Sequence, residues 1–216
     1  MQNKKTYAVL GLGRYGFAVA KELVENGQEV IAVDSDEKKV NDAAVHFPIC
    51  KRADITDKEV IERLGISNID TVIVCMAGCL ESSVMAVTLC KEAGVKNVIA
   101  KCANEMHQKI LLRVGADKVV FPEKESGVRL AKNLLSSGFI DMISLSKDVS
   151  MVEIDVKEEW VGKNLIELNL RKKYGINVVA LKTADAVTVN INPEQPLEKE
   201  MTLIVIANVA KLGKLN

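Results

Sequence analysis

Between Thr6 and Phe121, short β-rich runs alternate with helical stretches, and that alternation confines the chain to a parallel sheet wrapped by helices. The runs Tyr7–Leu10, Glu29–Asp34, Pro48–Arg52, Thr71–Cys75, Asn97–Lys101 and Lys118–Phe121 read as strands. Helices are expected over Arg14–Glu25, Asp36–His46, Asp57–Leu64, Leu80–Glu92 and Asn104–Val114. Gly27, Gly65, Gly94 and Gly115 stand where several of these helices need a C-cap. Six strands with five crossovers make a complete Rossmann-type unit.

The first strand runs into Gly11-Leu12-Gly13-Arg14-Tyr15-Gly16. Gly11 permits a tight turn out of the strand, Gly13 lets backbone approach a pyrophosphate, and Gly16 lets the next helix pack close to the sheet. The helix N-terminus then offers N–H groups to phosphates. Asp34 lies eighteen residues past Gly16, at the end of Val30-Ile31-Ala32-Val33, where a carboxylate accepts ribose hydroxyls. Strand before, helix after and acid at the next strand end make this a nucleotide-binding turn.

Pro122 stops the sixth strand, and Glu123–Ser137 reads as a further helix with Val128, Ala131, Leu134 and Leu135 on one apolar face. Either it packs on the sheet or it crosses to a partner subunit. Ser136-Ser137-Gly138 ends it. After Lys147-Asp148 the pattern changes: Met151–Val156 alternates, a helix is expected at Asn164–Tyr174, and strands at Val178–Lys182, Val187–Asn190 and Leu203–Ile206. We therefore expect a nucleotide-binding domain over residues 1–138, including the 123–137 helix, and a small α+β domain over 139–216.

At 216 residues with 48% hydrophobic composition, the chain can bury one good core and a second small one. Twenty-nine basic residues balance twenty-nine acidic ones, which disfavours nucleic acid or an anionic membrane surface as partner. No apolar run approaches the ~20 residues of a spanning helix, and Met1-Gln2-Asn3-Lys4-Lys5 leads straight into a strand, so a cytoplasmic protein is expected. Cys50, Cys75, Cys79, Cys90 and Cys102 are scattered singly through apolar segments and read as buried core thiols. His46 and His107 lack a ligand partner at helical spacing and read as surface or helix-end residues.

Arg14, inside the glycine turn, either meets terminal phosphate oxygens or is a solvated arginine that opposes the helix dipole. Asp54 and Ile55 follow the third strand where an adenine would lie, and Thr56 or Asp57 caps the next helix. Glu123 stands at the carboxyl end of the sixth strand, where it either compensates the following helix dipole or faces a polyphosphate across a cation. A hydride-transfer enzyme needs a tyrosine with lysine four residues on, or a histidine–carboxylate pair, and neither is visible. NAD-dependent oxidoreductase is thereby the weaker alternative.

These residues also carry a family resemblance. Ala8-Val-Leu-Gly-Leu-Gly-Arg-Tyr-Gly16, Val33-Asp34, Ala53-Asp-Ile-Thr-Asp57, Val72-Ile-Val-Cys75, Ser83, Val98-Ile-Ala-Lys101, Leu112-Arg-Val-Gly-Ala-Asp-Lys-Val119 and Phe121-Pro-Glu123 together resemble the cytosolic gating subunits of Ktr/Trk potassium-uptake systems. Such subunits pair a regulator-of-potassium-conductance (RCK) domain with its C-terminal companion. The resemblance implies that Gly11, Gly13, Arg14 and Gly16 cradle phosphates, Asp34 binds ribose, Asp54 and Ile55 border adenine, and Lys101 faces the nucleotide, with Tyr15 and Ser35 in the same cofactor-binding set. It implies ATP/ADP as ligand, NAD/NADH being the alternative, and Glu123 holding Mg2+ or another cation near the γ-phosphate across a subunit interface. Ala53 departs from the glycine of many relatives, so the backbone approaches the base less closely. In the C-terminal unit, similar proteins bind cyclic di-AMP. Ile166, Arg171 and Pro193 fall on matching positions, and Asn177 stands where some relatives carry histidine. A cyclic di-AMP sensor with a structural Rossmann site is thus a further alternative. The implied partners are a membrane potassium channel subunit and further copies of the chain, as homodimers in an octameric ring at the inner face of the cell membrane.

Overall fold

The computed structural model describes residues 5–135, 139–146, 148–184, 186–208 and 210. It contains two compact units, Met1–Pro122 and Glu123–Asn216. In the first, β1 (Thr6–Leu10), α1 (Arg14–Glu25), β2 (Glu29–Asp34), α2 (Glu37–Ala44), β3 (Ile49–Arg52) and α3 (Lys58–Arg63) are followed by β4 (Thr71–Val74), α4 (Leu80–Glu92), β5 (Asn97–Lys101), α5 (Glu105–Arg113) and β6 (Lys118–Val120). All six strands are parallel, in the order β3-β2-β1-β4-β5-β6. The order reverses between β1 and β4, and the crevice at the strands' carboxyl ends is where such sheets take ligands.

Alternation along β1 shows how the sheet is sandwiched. Val9 joins Ala20 of α1 and Ala43 beside Phe47 on one face. Ala8 and Leu10 join Ile61, Val87 and Leu111 on the other. Leu10 and Leu111 are completely buried, and each contributes roughly 1.5–3 kcal/mol by leaving water. The four glycines expected to end helices all adopt positive φ. Asp57 caps α3 by accepting from the Glu59 amide.

Two expectations about side chains need correction. Cys90 and Cys102 are buried, but Cys50 and Cys75 are half-buried and Cys79 is exposed, because it sits at the N-cap of α4 instead of inside the apolar run. His46 is exposed just past α2, whereas His107 lies at a helix end as expected and yet is buried. Its burial is tolerable because Ser83 and Ala103 satisfy both ring nitrogens.

α6 (Pro122–Leu135) starts at the last residue of the first unit and continues into the second, Pro122 taking the first helical position, where its missing N–H costs nothing. The expected Ser136–Gly138 break, and with it the 138/139 domain boundary, lies outside the described residues. Val128, Ala131 and Leu134 of α6 are exposed. Next come β7 (Phe139–Ser144), β8 (Val149–Asp155), α7 (Leu165–Leu168), α8 (Leu170–Tyr174), β9 (Ile176–Lys182), β10 (Val187–Thr188) and β11 (Thr202–Asn208). They form an antiparallel sheet ordered β10-β9-β11-β8-β7, with Val152, Ile154, Trp160, Leu168, Leu203 and Val205 at its core. β7 adds a strand that the sequence pattern does not predict. The single helix expected over 164–174 is two, because Asn169 turns left-handed at φ 44 and ends α7.

Candidate nucleotide site

An open cavity of about 310 Å³ occupies the crevice at the switch point of the sheet. Four connections build its wall: Gly11 and Gly13 after β1, Asp34 and Ser35 after β2, Ala53-Asp54-Ile55 after β3, and residues 75–79 after β4. Its size falls at the lower end of ordinary small-molecule pockets. Of the residues read from the sequence, Gly11, Gly13, Asp34, Ser35, Asp54 and Ile55 meet here.

The three glycines have separate physical reasons. Gly11 adopts φ +102, and a Cβ there would lie 3.0 Å from Met76 Cγ. At Gly16 a Cβ would come within 1.9 Å of the Gly11 carbonyl oxygen, so α1 can pack at this distance only without a side chain. Gly13 is different. Its φ of −66° suits any residue and a Cβ would meet nothing within 4 Å, so neither strain nor packing in this chain calls for glycine. What a side chain would fill is the space above the N-terminus of α1. Among the α-helices described in the first unit, α1 alone has neither a side-chain cap nor an acidic residue in its first turn. An anion is the natural complement to such an end.

Asp34 is buried at the end of β2 and holds the turn in place. Its Oδ2 accepts from the Leu12 amide at 2.7 Å and its Oδ1 from the Asp36 amide at 2.9 Å. Lys39, which sequence reasoning missed, places Nζ 3.3 Å from the same Oδ2. A carboxylate has about four acceptor sites, so a ribose offering two hydroxyls has to displace Lys39. Asp54 is exposed and accepts from the Thr56 amide and hydroxyl, which together hold its carboxyl below the usual range.

Arg14 faces a second, shallower cleft of about 370 Å³, lined also by Leu12, Gly13, Phe17, Lys39 and Asp42. Gly13 and Lys39 belong to both hollows, so the cleft continues the cavity past the glycine turn. Tyr15 and Lys101 stand together, the ammonium 5.5 Å from the ring centroid. They are not among the lining residues of either hollow. Cys75, in the wall, is pushed up to about 12 by burial, with Lys101 acting against that shift. Cys79, also in the wall, is held low chiefly by the Ser82 hydroxyl that bonds its sulfur. Residues 75–79 lacked a motif, and only their position after β4 signalled them.

Glu123 belongs to the second unit, in the first turn of α6 with Glu125, where both complement the dipole. Among the described residues no group of three histidine, cysteine or acidic side chains is placed to hold a metal. In the second unit, Ile166, Arg171 and Asn177 line one cavity of about 470 Å³ between α7, α8 and β9. Pro193 is exposed and not part of that lining. No described helix is long and apolar enough to cross a membrane.

Comparison with known proteins agrees with this division. Residues 7–122 match the TrkA-N domain and residues 149–216 the TrkA-C domain. The Ktr system potassium uptake protein C of Bacillus subtilis is 38% identical over 211 residues, covering 98% of this chain and 96% of that protein. Protein A of the same system and organism is 34% identical over 204 residues, covering 94% and 92%. The fold is shared with the GsuK channel, at a TM-score of 0.69 and 15% identity, over 99% of this chain and 39% of the channel chain. The chain therefore belongs to the TrkA-N/TrkA-C family that includes the Ktr system potassium uptake proteins.

Proposed function

We propose that this chain is a regulatory, non-catalytic subunit that senses a nucleotide at the Gly11–Gly16 turn and thereby gates a membrane potassium channel or transporter subunit. Gly13 carries the reading: it is a glycine that the chain's own geometry does not need, above an uncapped helix end, beside an acid suited to ribose. Similarity to Ktr potassium uptake proteins over nearly the whole chain supports the transport role. The exposed apolar residues of α6 support assembly with further copies, as dimers within a larger ring.

ATP and ADP are the ligands we favour, with NAD/NADH sharing the adenosine and pyrophosphate. Adenosine would occupy the cavity, and the phosphates would pass over Gly13 into the cleft of Arg14. A ligand shifts a conformational equilibrium only as far as its affinities for the two states differ. Arg14 is where the γ-phosphate would be felt. Glu123 would supply a carboxylate to a cation such as Mg2+, whose remaining ligands would have to come from phosphate, water or a partner subunit.

Calorimetry with ATP and ADP tests this reading, together with identification of any nucleotide released from purified protein. Arg14→Ala should weaken ATP more than ADP, and equal losses would remove Arg14 from the γ-phosphate. Glu123→Gln should abolish the benefit of Mg2+ to ATP binding; an unchanged benefit rejects the cation role. Turnover of reduced cofactor with a substrate would replace the whole reading with an oxidoreductase.

A second ligand is favoured by one observation: Ile166, Arg171 and Asn177 share a cavity in the C-terminal unit. An arginine there suits the phosphates of cyclic di-AMP. Binding that survives Asp34→Ala but not Arg171→Ala would place the dinucleotide in this cavity.

A further inference from the structure

A buried polar chain joins the connection after β5 to the start of α4, directly after residues 75–79 of the cavity wall. His107, in the first turn of α5, is only 4% exposed. Its Nδ1 accepts from the Ala103 amide at 3.3 Å, which assigns the ring proton to Nε2. That nitrogen lies 2.8 Å from Ser83 Oγ, so it donates to the hydroxyl. The Ser83 proton is then directed to the carbonyls of Cys79 and Leu80, each 2.9 Å away. Every donor in the chain has an acceptor, and all point the same way. The ring has to be neutral for this, because a proton on Nδ1 would face the Ala103 N–H. Burial lowers the pKa of His107 and favours that form.

Helix formation does not require these two residues. A serine bonded to carbonyls three and four residues back is a neutral to slightly unfavourable helix residue. A buried polar pair also gains little over an apolar pair of the same shape. What the pair adds is direction. It holds the Cys79 carbonyl, at the end of the 75–79 cavity wall, to the segment after β5. We infer that His107 is a positioning residue for the nucleotide site, acting through Ser83 to keep the 75–79 wall preformed for its ligand. This rests on reading the cavity as a nucleotide site.

The test is isothermal titration of ATP, ADP and NADH into the full-length chain as wild type, His107→Leu, His107→Gln, Ser83→Ala and the Leu/Ala double variant. Leucine keeps apolar bulk without either bond, and affinity for the ligand that binds wild type should fall about tenfold, the scale of one net hydrogen bond. Glutamine can still donate to Ser83 and should restore most of the affinity. The double variant should bind no worse than the poorer single one, since both break the same chain. A purely structural role predicts lower melting temperatures with unchanged affinity of the folded protein, and that result overturns the inference while leaving the nucleotide site intact. Should His107→Leu not fold, wild-type affinity in Ser83→Ala overturns it equally. If wild type binds none of the three nucleotides, the cavity reading and the inference fall together.

Discussion

Gly13→Ser separates what the glycine turn does for the fold from what it does for a ligand. The backbone at Gly13, φ −66° and ψ −180°, is open to any residue, and a Cβ there meets nothing within 4 Å. Replacing glycine at a compatible position stabilises by about 0.4–1 kcal/mol through the unfolded chain. A serine N-cap adds a few tenths over glycine. Together they predict a gain of about 1 kcal/mol without ligand, or roughly 2–4 °C in the melting temperature. The same hydroxyl would occupy the helix end and displace a phosphate. Losing one charge-assisted hydrogen bond costs about 1.5–3 kcal/mol, which is roughly 10- to 150-fold in affinity. A ligand at a hundred times its wild-type dissociation constant stabilises wild type by about 2.7 kcal/mol. At the same concentration a variant tenfold weaker gains only about 1.4 kcal/mol, and one a hundredfold weaker about 0.4 kcal/mol. Thermal melts with and without ATP therefore should show a variant more stable alone and much less stabilised by ligand. Full ligand stabilisation in Gly13→Ser would refute the placement of phosphate at α1. In contrast, Gly16→Ala drives a Cβ to 1.9 Å from the Gly11 oxygen and should destabilise by about 1–3 kcal/mol or more without any ligand.

Three further outcomes follow from the site. Asp34→Asn should lower stability by roughly 1.5–3 kcal/mol as well as ligand affinity, because one face of the amide turns N–H toward a backbone donor, Leu12 or Asp36; unchanged denaturant midpoints would discount its structural role. The folded pKa of His107 is depressed by burial, so the unfolded chain binds that proton first. The contribution of His107 to stability should be complete above pH ~6.5 and decline as pH falls toward the folded value. His107→Leu should remove this step, and an identical pH profile in the variant would exclude it. Among the thiols, Cys79 should react first with iodoacetamide near pH 8, since Cys75 and Cys90 are both held at about 12 by burial. Peptide mapping that finds Cys75 labelled ahead of Cys79 would contradict the arrangement of this wall.

How much of this was legible in the chain depends on the range of the interaction that decides each feature. Strands buried on both faces are continuous apolar runs, so β2 and β5 fell exactly within the residues expected, as did α1 and α4. The turn residues announced themselves because Gly11, Gly16 and the acid at the end of β2 answer to geometry within the turn, and the spacing of the motif carries Gly13 with them. Features set by a distant partner gave no such signal. β7 pairs with β8, and its six residues, bordered by the serine–glycine break before and Lys147-Asp148 after, carry too short a pattern to be read as a strand alone. Asn169 broke a helix that periodicity made continuous, since a left-handed asparagine looks polar and helical alike in a one-dimensional pattern. Lys39 is one of two adjacent lysines on α2, and only the fold sets its ammonium 3.3 Å from Asp34. His107 is the clearest case. A histidine without neighbours at ligand spacing reads as a surface or helix-end residue, and its burial is tolerable because Ser83, twenty-four positions earlier, and the Ala103 amide bond its two ring nitrogens. The same distinction divides the site itself. The residues proposed to meet a phosphate or ribose are fixed by local turn chemistry and can be named from sequence. The residues that keep the 75–79 wall in place act through a tertiary hydrogen bond, and substitutions there should alter affinity without touching the fingerprint at all.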